Sequence, residues 1–203
     1  VYQSNLKQIV IFNIVISLGV MVCGTATLNT YGVKGALFYA VNDILLKAAL
    51  FIVVGLVIYT SGVKFLQKCG LINKYPLLAW TYFIIVLSLA GVPPFSGFYG
   101  KALIIRGLVL DNHIYIATLV AASGLIVFYS LIRIFLNVFY DNINKTLPLR
   151  PLPKGILIPL VSLVAVAFLI GIFSNQLDGL INNGVQMILD PKKYIEIVLG
   201  KGA

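Results

Sequence analysis

The sequence predicts an all-α membrane protein, a polytopic bundle of about five transmembrane helices, one of which is broken by prolines. Apolar residues make up 60% of the 203-residue chain and charged residues only 10%, and the mean hydropathy is +1.02. A soluble domain carries about 25% charged residues, so this chain lacks the polar side chains needed to cover itself in water. Stretches with the roughly 20 apolar residues of a membrane crossing recur along most of its length.

Two regions are expected: a transmembrane helix bundle at 1–174 and an amphipathic C-terminal tail at 175–203. The predicted spans are about 8–26, 35–59, 76–110 with a break at 91–97, 114–139 and 155–173. The chain opens at Val1, only a few residues before an apolar helix, so we expect it to be a fragment of a longer protein.

The first span carries Asn13 and Ser17 four residues apart, which places both on one helix face. Hydrogen bonding to a neighbouring helix is the simplest interpretation of such a pair. The fourth span ends near Arg133, where an arginine reaches the membrane surface without special cause. The fifth contains Pro159 near its start, which the first turns of a helix tolerate.

Asp43 and Lys47 lie well inside the second span, on either side of its centre. Their four-residue spacing puts them on one face, with the acid on the N-terminal side, which is the better orientation for a pair. Each isolated charge at this depth costs about 2.5–3.5 kcal/mol on insertion scales. A structural salt bridge is one explanation, but intramembrane ionisable residues usually mark ion pathways. We favour the ion pathway, with Tyr39 one turn earlier as a further hydrogen-bonding group.

The third apolar run is interrupted by Gly91, Pro93 and Pro94, and Gly97 follows the break. Two successive prolines end a helix because they remove backbone donors and clash with the preceding turn. Irregular backbone at membrane depth is tolerated where protein buries it or where it lines a water-filled cavity. Lys101 lies seven residues past Pro94, which makes it the first candidate for an ion-conducting side chain.

Loop charges decide whether 76–110 is one broken span or two spans joined at the membrane surface. With one span, seven basic residues share one side (Lys7, Lys64, Lys68, Lys74, Lys145, Arg150 and Lys154) and the other side receives Lys34. With two spans, the eight divide four to four. The uneven division follows the positive-inside rule, so the sequence favours one broken span.

Other classes of function find no support in the composition. The net charge of +9 is explained by basic cytoplasmic loops, so no nucleic-acid partner is expected. Cys23, Cys69 and the single histidine, His113, show no metal or redox spacing. No catalytic triad, phosphate loop or zinc motif is present in the sequence, and we predict neither a cofactor, nor a metal, nor an enzymatic active site.

Three stretches carry a resemblance to a known family. VNDILLKAALFIVVG (41–55) and LAGVPPFSGFYGK (89–101) resemble paired signatures of the antiporter-like membrane subunits, and LKQIVIFNIVISLGVM (6–21) is similar to a preceding helix. That family is shared by Mrp-type (Mnh-type) sodium/proton antiporters and the proton-pumping arm of respiratory complex I. The tail DPKKYIEIVLG (190–200) is similar to the end of the D-type Mrp subunits, which favours that branch.

The resemblance implies a membrane subunit of a multi-subunit sodium/proton antiporter, in the bacterial cell membrane, with other subunits, sodium ions, protons and lipid as partners. It implies that Lys101 and Lys47 lie on the proton path. Many relatives carry histidine near positions 39 and 43, where this chain has Tyr39 and Asp43. Because unperturbed tyrosine titrates near 10 and aspartate near 4, the relay at these two positions has a different chemistry here.

Two alternatives remain open. The same lysines would serve a proton-pumping subunit of an NADH–quinone oxidoreductase, in which redox chemistry elsewhere supplies the energy. In a subunit that only supports assembly, the Asp43–Lys47 pair would hold helices together without transporting anything.

Overall fold

The computed structural model describes residues 4–140 and 150–190, and within them it contains helices but no β-strand. The helices are α1 (Leu6–Ala26), α2 (Thr30–Ser61), α3 (Pro76–Ala90), α4 (Ser96–Leu110), α5 (Ile114–Ile134), α6 (Lys154–Ile172) and α7 (Ser174–Leu189). A short 3-10 helix, Leu71–Asn73, precedes α3, and α5 continues as a π-helix, Phe135–Tyr140. The predicted all-α transmembrane bundle is confirmed. Lys145 of the second basic loop and residues 191–203 of the predicted tail lie outside the described residues.

The helix ends follow local sequence signals. The Asn5 side chain accepts a hydrogen bond from the Lys7 amide and begins α1, and the Asn29 side chain accepts one from the Gly32 amide at 2.7 Å. Because of this cap, α2 begins at Thr30, about one turn earlier than its sequence predicts, and Lys34 lies within the helix rather than in a loop.

Among the described residues, four helices are long and apolar enough to cross a membrane: α1, α2, α5 with its π-helical extension, and α6. α3 is apolar but only 15 residues long, and α4 also has 15 residues. At 1.5 Å per residue each measures about 22 Å, which is shorter than the roughly 30 Å hydrocarbon core. Neither α3 nor α4 is therefore long enough to cross a bilayer alone.

α3 and α4 run one after the other along the length of α2, in the opposite direction. At the N-terminal end of α2, Gly32 meets Gly107 of α4, and near the middle Asn42 meets Ser96. At its C-terminal end, the Thr60 carbonyl binds the Arg150 amide, and the Arg150 carbonyl accepts from the hydroxyl of Tyr75, just before α3. This order favours one span with an internal break over two spans that turn at the surface.

Small residues allow α2 and α4 to approach closely. A Cβ added to Gly35 would lie 2.7 Å from the Ile104 amide nitrogen, and one added to Gly100 would lie 2.9 Å from the Tyr39 Cα. Glycine at such positions is typical of packed transmembrane helices. The close contact fixes the half-helix that carries Lys101 against the half of α2 that carries Tyr39.

The main apolar core joins α1, α2, α3, α5 and α6 at the end of the bundle near Leu71. There the rings of Tyr82, Phe135 and Phe139 pack together, with Tyr82 and Phe139 centroids 5.1 Å apart. The buried Tyr82 hydroxyl donates to the Leu131 carbonyl at 2.9 Å, where α5 changes to its π-helical continuation. This contact connects α3 to α5 and so fixes the position of α3, the first half of the broken span.

Candidate functional site

The break between α3 and α4 lies halfway along α2 and has two faces. Gly91 ends α3 with φ +83°, a left-handed conformation that favours glycine. The Pro93–Pro94 bond is cis, and both prolines are exposed on the surface of the chain. Gly97 faces inward, so close to α3 that an added Cβ would lie 1.9 Å from the Ser88 carbonyl oxygen.

Lys101 points back across the break. Its ammonium donates to the carbonyl oxygens of Leu89 at 3.0 Å and Ala90 at 2.9 Å, and the residue is only 6% exposed. These carbonyls end α3 and have no partner in a following turn. The negative end of a helix dipole attracts a cation, so the break itself creates the site that holds this ammonium.

Asp43 and Lys47 form a buried ion pair on α2. The carboxylate Oδ2 and the ammonium nitrogen are 2.7 Å apart, and the residues are 4% and 7% exposed. Lys47 also donates to the Asn13 carbonyl at 3.2 Å. Within the described residues, Asp43 Oδ1 is buried without a hydrogen-bond partner. The carboxylate therefore keeps capacity for a further donor.

Tyr39 lies between Lys101 and α1. The Lys101 ammonium is 5.6 Å from the centroid of the Tyr39 ring, within the range of a cation–π contact. The Tyr39 hydroxyl donates to Ser17 Oγ at 3.3 Å. The Ser17 hydroxyl in turn donates to the Asn13 carbonyl at 3.1 Å, the same oxygen that accepts from Lys47. A continuous series of contacts therefore joins the two lysines.

The structure thus brings together all four predicted ionisable residues. The charges of Asp43, Lys47 and Lys101 are close enough to interact electrostatically. With both lysines protonated and the acid ionised, the cluster carries one net positive charge. Loss of one proton from either lysine would make the cluster neutral. Within residues 4–140 and 150–190, no three His, Cys, Asp or Glu side chains come together to hold a metal ion.

Polar residues of the apolar spans complete the site, among them Ser96, whose role is not evident from the sequence. Ser96 begins α4 and donates to the side-chain oxygen of Asn42, a contact that joins α4 to α2 beside the break. Asn42 Nδ2 is buried without a partner in the part of the chain that the structure describes. Both atoms without a hydrogen-bond partner among the described residues, Asn42 Nδ2 and Asp43 Oδ1, belong to the part of α2 that lies beside the break. The signal in the sequence is an asparagine beside an intramembrane acid.

A second ion pair lies on the other side of the break. Lys34 and Asp178 Oδ2 are 2.7 Å apart, which joins α2 to α7. Asp178 Oδ1 accepts from the Tyr99 hydroxyl of α4 at 3.0 Å, and the Tyr99 ring packs edge-on against Phe38. The predicted tail therefore begins with a helix anchored to both α2 and α4, and Lys34 is not a free loop charge.

Comparison with known proteins identifies the family. The model of the NADH:quinone oxidoreductase/Mrp antiporter transmembrane family matches residues 1–127, more than half of the chain. The chain is 37% identical over 198 residues to the D-type subunit of a Na(+)/H(+) antiporter from Bacillus subtilis (strain 168), and this match covers 97% of the chain and 40% of the relative. The chain therefore spans about two fifths of the length of this curated relative.

Two solved structures share the fold. A chain of the Mrp complex from Dietzia sp. DQ12-45-1b superposes with a TM-score of 0.90 at 23% identity, over 98% of this chain and 46% of that one. A chain of respiratory complex I from Thermus thermophilus superposes with a TM-score of 0.74 at 20% identity, over 92% and 39%. The family match and the shared fold together show that this chain is a multi-pass membrane protein of the NADH:quinone oxidoreductase/Mrp antiporter transmembrane family.

Proposed function

We propose that this chain is part of a membrane subunit of a multi-subunit sodium/proton antiporter in the bacterial cell membrane, and that protons cross it by way of Lys101 and Lys47. The observation that carries the proposal is the position of the Lys101 ammonium on the carbonyls of Leu89 and Ala90 at the break. The relative from Bacillus subtilis supports the choice of sodium/proton exchange.

Lys101 is suited to exchange a proton rather than to hold a permanent charge. Its partners are two backbone carbonyls and an aromatic ring, and a carboxylate does not contact it directly within the described residues. Neutral partners hold an ammonium less firmly than a direct ion pair does. The proton can therefore leave without separating two opposite charges in contact.

The protonation of the Asp43–Lys47 pair changes the electrostatic potential at Lys101. When both members are charged they nearly cancel, and when Lys47 is neutral the carboxylate is left to attract positive charge to the cluster. A proton that leaves Lys47 therefore favours a charged Lys101, and the Tyr39–Ser17–Asn13 contacts join the two positions. Moving one charge across 100 mV corresponds to about 2.3 kcal/mol, so ordinary gradients suffice to drive the exchange.

The test is sodium-dependent proton flux in everted membrane vesicles that contain the full-length subunit in its complex. Lys101→Ala should abolish the collapse of a preformed pH gradient on sodium addition while the complex stays intact on a native gel. Lys101→Arg should fail too, because arginine does not release its proton. Lys64→Ala, a change at an exposed loop lysine, is the matched control and should retain flux. Normal flux in the arginine variant would show that Lys101 supplies only fixed charge.

A proton-pumping subunit of an NADH–quinone oxidoreductase is the second candidate, favoured by the fold shared with complex I from Thermus thermophilus. The same vesicles separate the two. An antiporter responds to sodium with respiration blocked, whereas the oxidoreductase moves protons only while NADH is oxidised and quinone is reduced. A complex that assembles with this subunit but shows neither flux would indicate a role in assembly alone.

A further inference from the structure

An open groove lies on the surface of the chain, between the C-terminal part of α2 and the start of α6. Its volume is about 450 Å³, and the residues lining it are Ile52, Gly55, Leu56, Tyr59, Pro153 and Ile156. The four residues of α2 have the spacing i, i+3, i+4 and i+7 of a single helix face. Because a helix rises about 1.5 Å per residue, they form an apolar strip about 10 Å long. The strip begins at the end of the bundle that carries Lys64.

Gly55 adds depth to the groove and does not serve the packing of helices. Among the described residues, a Cβ added at Gly55 would meet nothing within 4 Å, whereas at Gly35 or Gly100 it would collide with a neighbouring helix. Glycine inside a helix lowers the stability of that helix relative to alanine. At position 55 the glycine therefore leaves space on the surface of α2, where at the other two positions it permits close contact.

A cationic side chain lies at the mouth of the groove. The central guanidinium carbon of Arg150 is 6.0 Å from the centroid of the Tyr59 ring, which lines the groove. Arg150 is exposed, but its backbone is fixed on both sides. Its amide donates to the Thr60 carbonyl at 2.9 Å, and its carbonyl accepts from the Tyr75 hydroxyl at 2.8 Å. A ring attracts a guanidinium without neutralising its charge, so the N–H donors can still bind an anion.

The groove and Arg150 together have the polarity of a phospholipid. The apolar strip matches an acyl chain, and a guanidinium binds phosphate oxygens with paired N–H donors. A helix of another subunit would match the strip, but it would also take the Arg150 charge out of water, which is costly. Lys64 and Lys68 are exposed at the same end of the bundle, and basic residues at a membrane surface favour lipids with a net negative charge.

We propose that this groove binds an anionic phospholipid from the leaflet on the side of Lys64. The headgroup phosphate lies on Arg150, and one acyl chain lies along Ile52, Gly55 and Leu56. Tyr59 lies between the two parts of the lipid, which is the depth that tyrosine prefers at a membrane interface. The bound lipid fills the space between α2 and α6. This inference depends on the membrane location of the chain and not on the proton path.

Photolabelling tests the site in the full-length subunit within its complex, reconstituted in phosphatidylcholine vesicles. The probe is phosphatidylglycerol with a diazirine on one acyl chain, and the labelled positions are identified by mass spectrometry. We expect label on residues 52–59 of α2. Unlabelled phosphatidylglycerol should compete with the probe about fivefold better than added unlabelled phosphatidylcholine, because its net negative charge favours the basic end of the bundle.

Two pairs of variants separate the headgroup from the acyl chain. Arg150→Gln keeps the backbone contacts but loses the guanidinium, so the mole fraction of phosphatidylglycerol needed for half-maximal competition should rise about tenfold. Lys64→Gln is the matched control, since it removes one charge from the same end but Lys64 does not line the groove. Gly55→Leu should abolish the label on 52–59 by filling the groove, whereas Gly55→Ala should retain it. Assembly of every variant is checked on a native gel.

Equal competition by the two lipids would overturn the proposal, as would equal shifts in Arg150→Gln and Lys64→Gln, because Arg150 would then not select the headgroup. An unaltered complex without label on 52–59 would contradict it too, by showing that a protein segment covers the groove. Label that persists in Gly55→Leu would place the lipid elsewhere on α2. If Arg150→Gln does not assemble, the comparison of the two lipids in the unaltered complex decides the matter. None of these results depends on proton flux, so they are separate from the test of the proposed function.

Discussion

Lys34 and Asp178, 144 positions apart in the sequence, form an ion pair of 2.7 Å that joins α7 to the start of α2. Their side chains are 11% and 29% exposed, so the lysine is the more deeply buried partner. The Asp178 carboxylate also accepts a hydrogen bond from the hydroxyl of Tyr99, which is two residues before Lys101. The pair therefore connects the C-terminal helix to the half-helix that carries the principal lysine.

Asp178→Ala should loosen α7 and lower the stability of the subunit. Removing one partner leaves the buried Lys34 ammonium unpaired, which costs about 1–3 kcal/mol, and partial exposure of Asp178 places the effect at the lower end. The double change Lys34→Met with Asp178→Ala should recover most of the loss, because no charge is left unpaired. The measurement is the temperature at which half of the complex is lost from a native gel. Equal losses in the single and double variants would contradict a stabilising role for the pair.

The close approach of Gly97 to α3 leads to a second prediction. Gly97→Ala would place a methyl group 1.9 Å from the Ser88 carbonyl oxygen, so the two half-helices must separate. Overpacking of this kind costs about 1–3 kcal/mol. The same heating assay should show reduced stability and, because the Lys101 site spans the break, reduced flux.

Gly55→Ala is the control for that change, since a Cβ at Gly55 has nothing within 4 Å. Alanine there should be neutral or slightly stabilising, by about 0.5–1 kcal/mol, because glycine inside a helix has the greater conformational entropy to lose. If both substitutions behave alike, the contact between Gly97 and Ser88 does not limit the packing of the break.

The interpretation of residues 76–110 as one broken span predicts the side of the membrane on which each loop lies. Lys68 and Arg150 are exposed, and they belong to segments at the same end of the bundle. Cysteines at these positions should both be labelled by a membrane-impermeant maleimide from one side, whereas Asn112→Cys, in the turn after α4, should be labelled from the other. The native cysteines are replaced by serine in this experiment. Labelling of Lys68→Cys and Arg150→Cys from opposite sides would mean that α3 and α4 do not form one crossing.

The sequence was sufficient to predict elements whose cause is local. The four-residue spacing of Asp43 and Lys47 determines their contact once a helix forms, and consecutive prolines end α3 whatever surrounds them. The number of long apolar helices follows from composition and length for the same reason.

Contacts between distant parts of the chain could not be predicted in this way. The partners of Lys101 are the backbone carbonyls of Leu89 and Ala90. Because every residue has a backbone carbonyl, no sequence pattern indicates which ones bind the lysine. The pairing of Asn13 with Ser130 depends on how α1 packs against α5. The spacing of Asn13 and Ser17 predicts hydrogen bonding between helices, but their link to Lys47 requires the position of α2 as well.

The Asp43–Lys47 pair allows a final test that separates transport from assembly. Asp43→Asn alone leaves the Lys47 ammonium buried, with the Asn13 carbonyl and a neutral amide as its partners among the described residues. The loss of a charged partner should cost about 1–3 kcal/mol, so both assembly and flux should fall. The double change Asp43→Asn with Lys47→Met removes the stranded charge, and assembly should then return to near its original level.

Flux should not return with assembly in that double variant, because no titrating group remains at position 47. Assembly is measured on a native gel and flux as the sodium-dependent collapse of a pH gradient in everted vesicles. The Lys34→Met, Asp178→Ala variant is the matched control, since it removes the ion pair between α2 and α7 and leaves Asp43, Lys47 and Lys101 in place. Flux that survives in the control but is lost in the Asp43–Lys47 double variant identifies a pair that takes part in transport. Full flux in both would mean that Asp43 and Lys47 serve only to hold α2 in place.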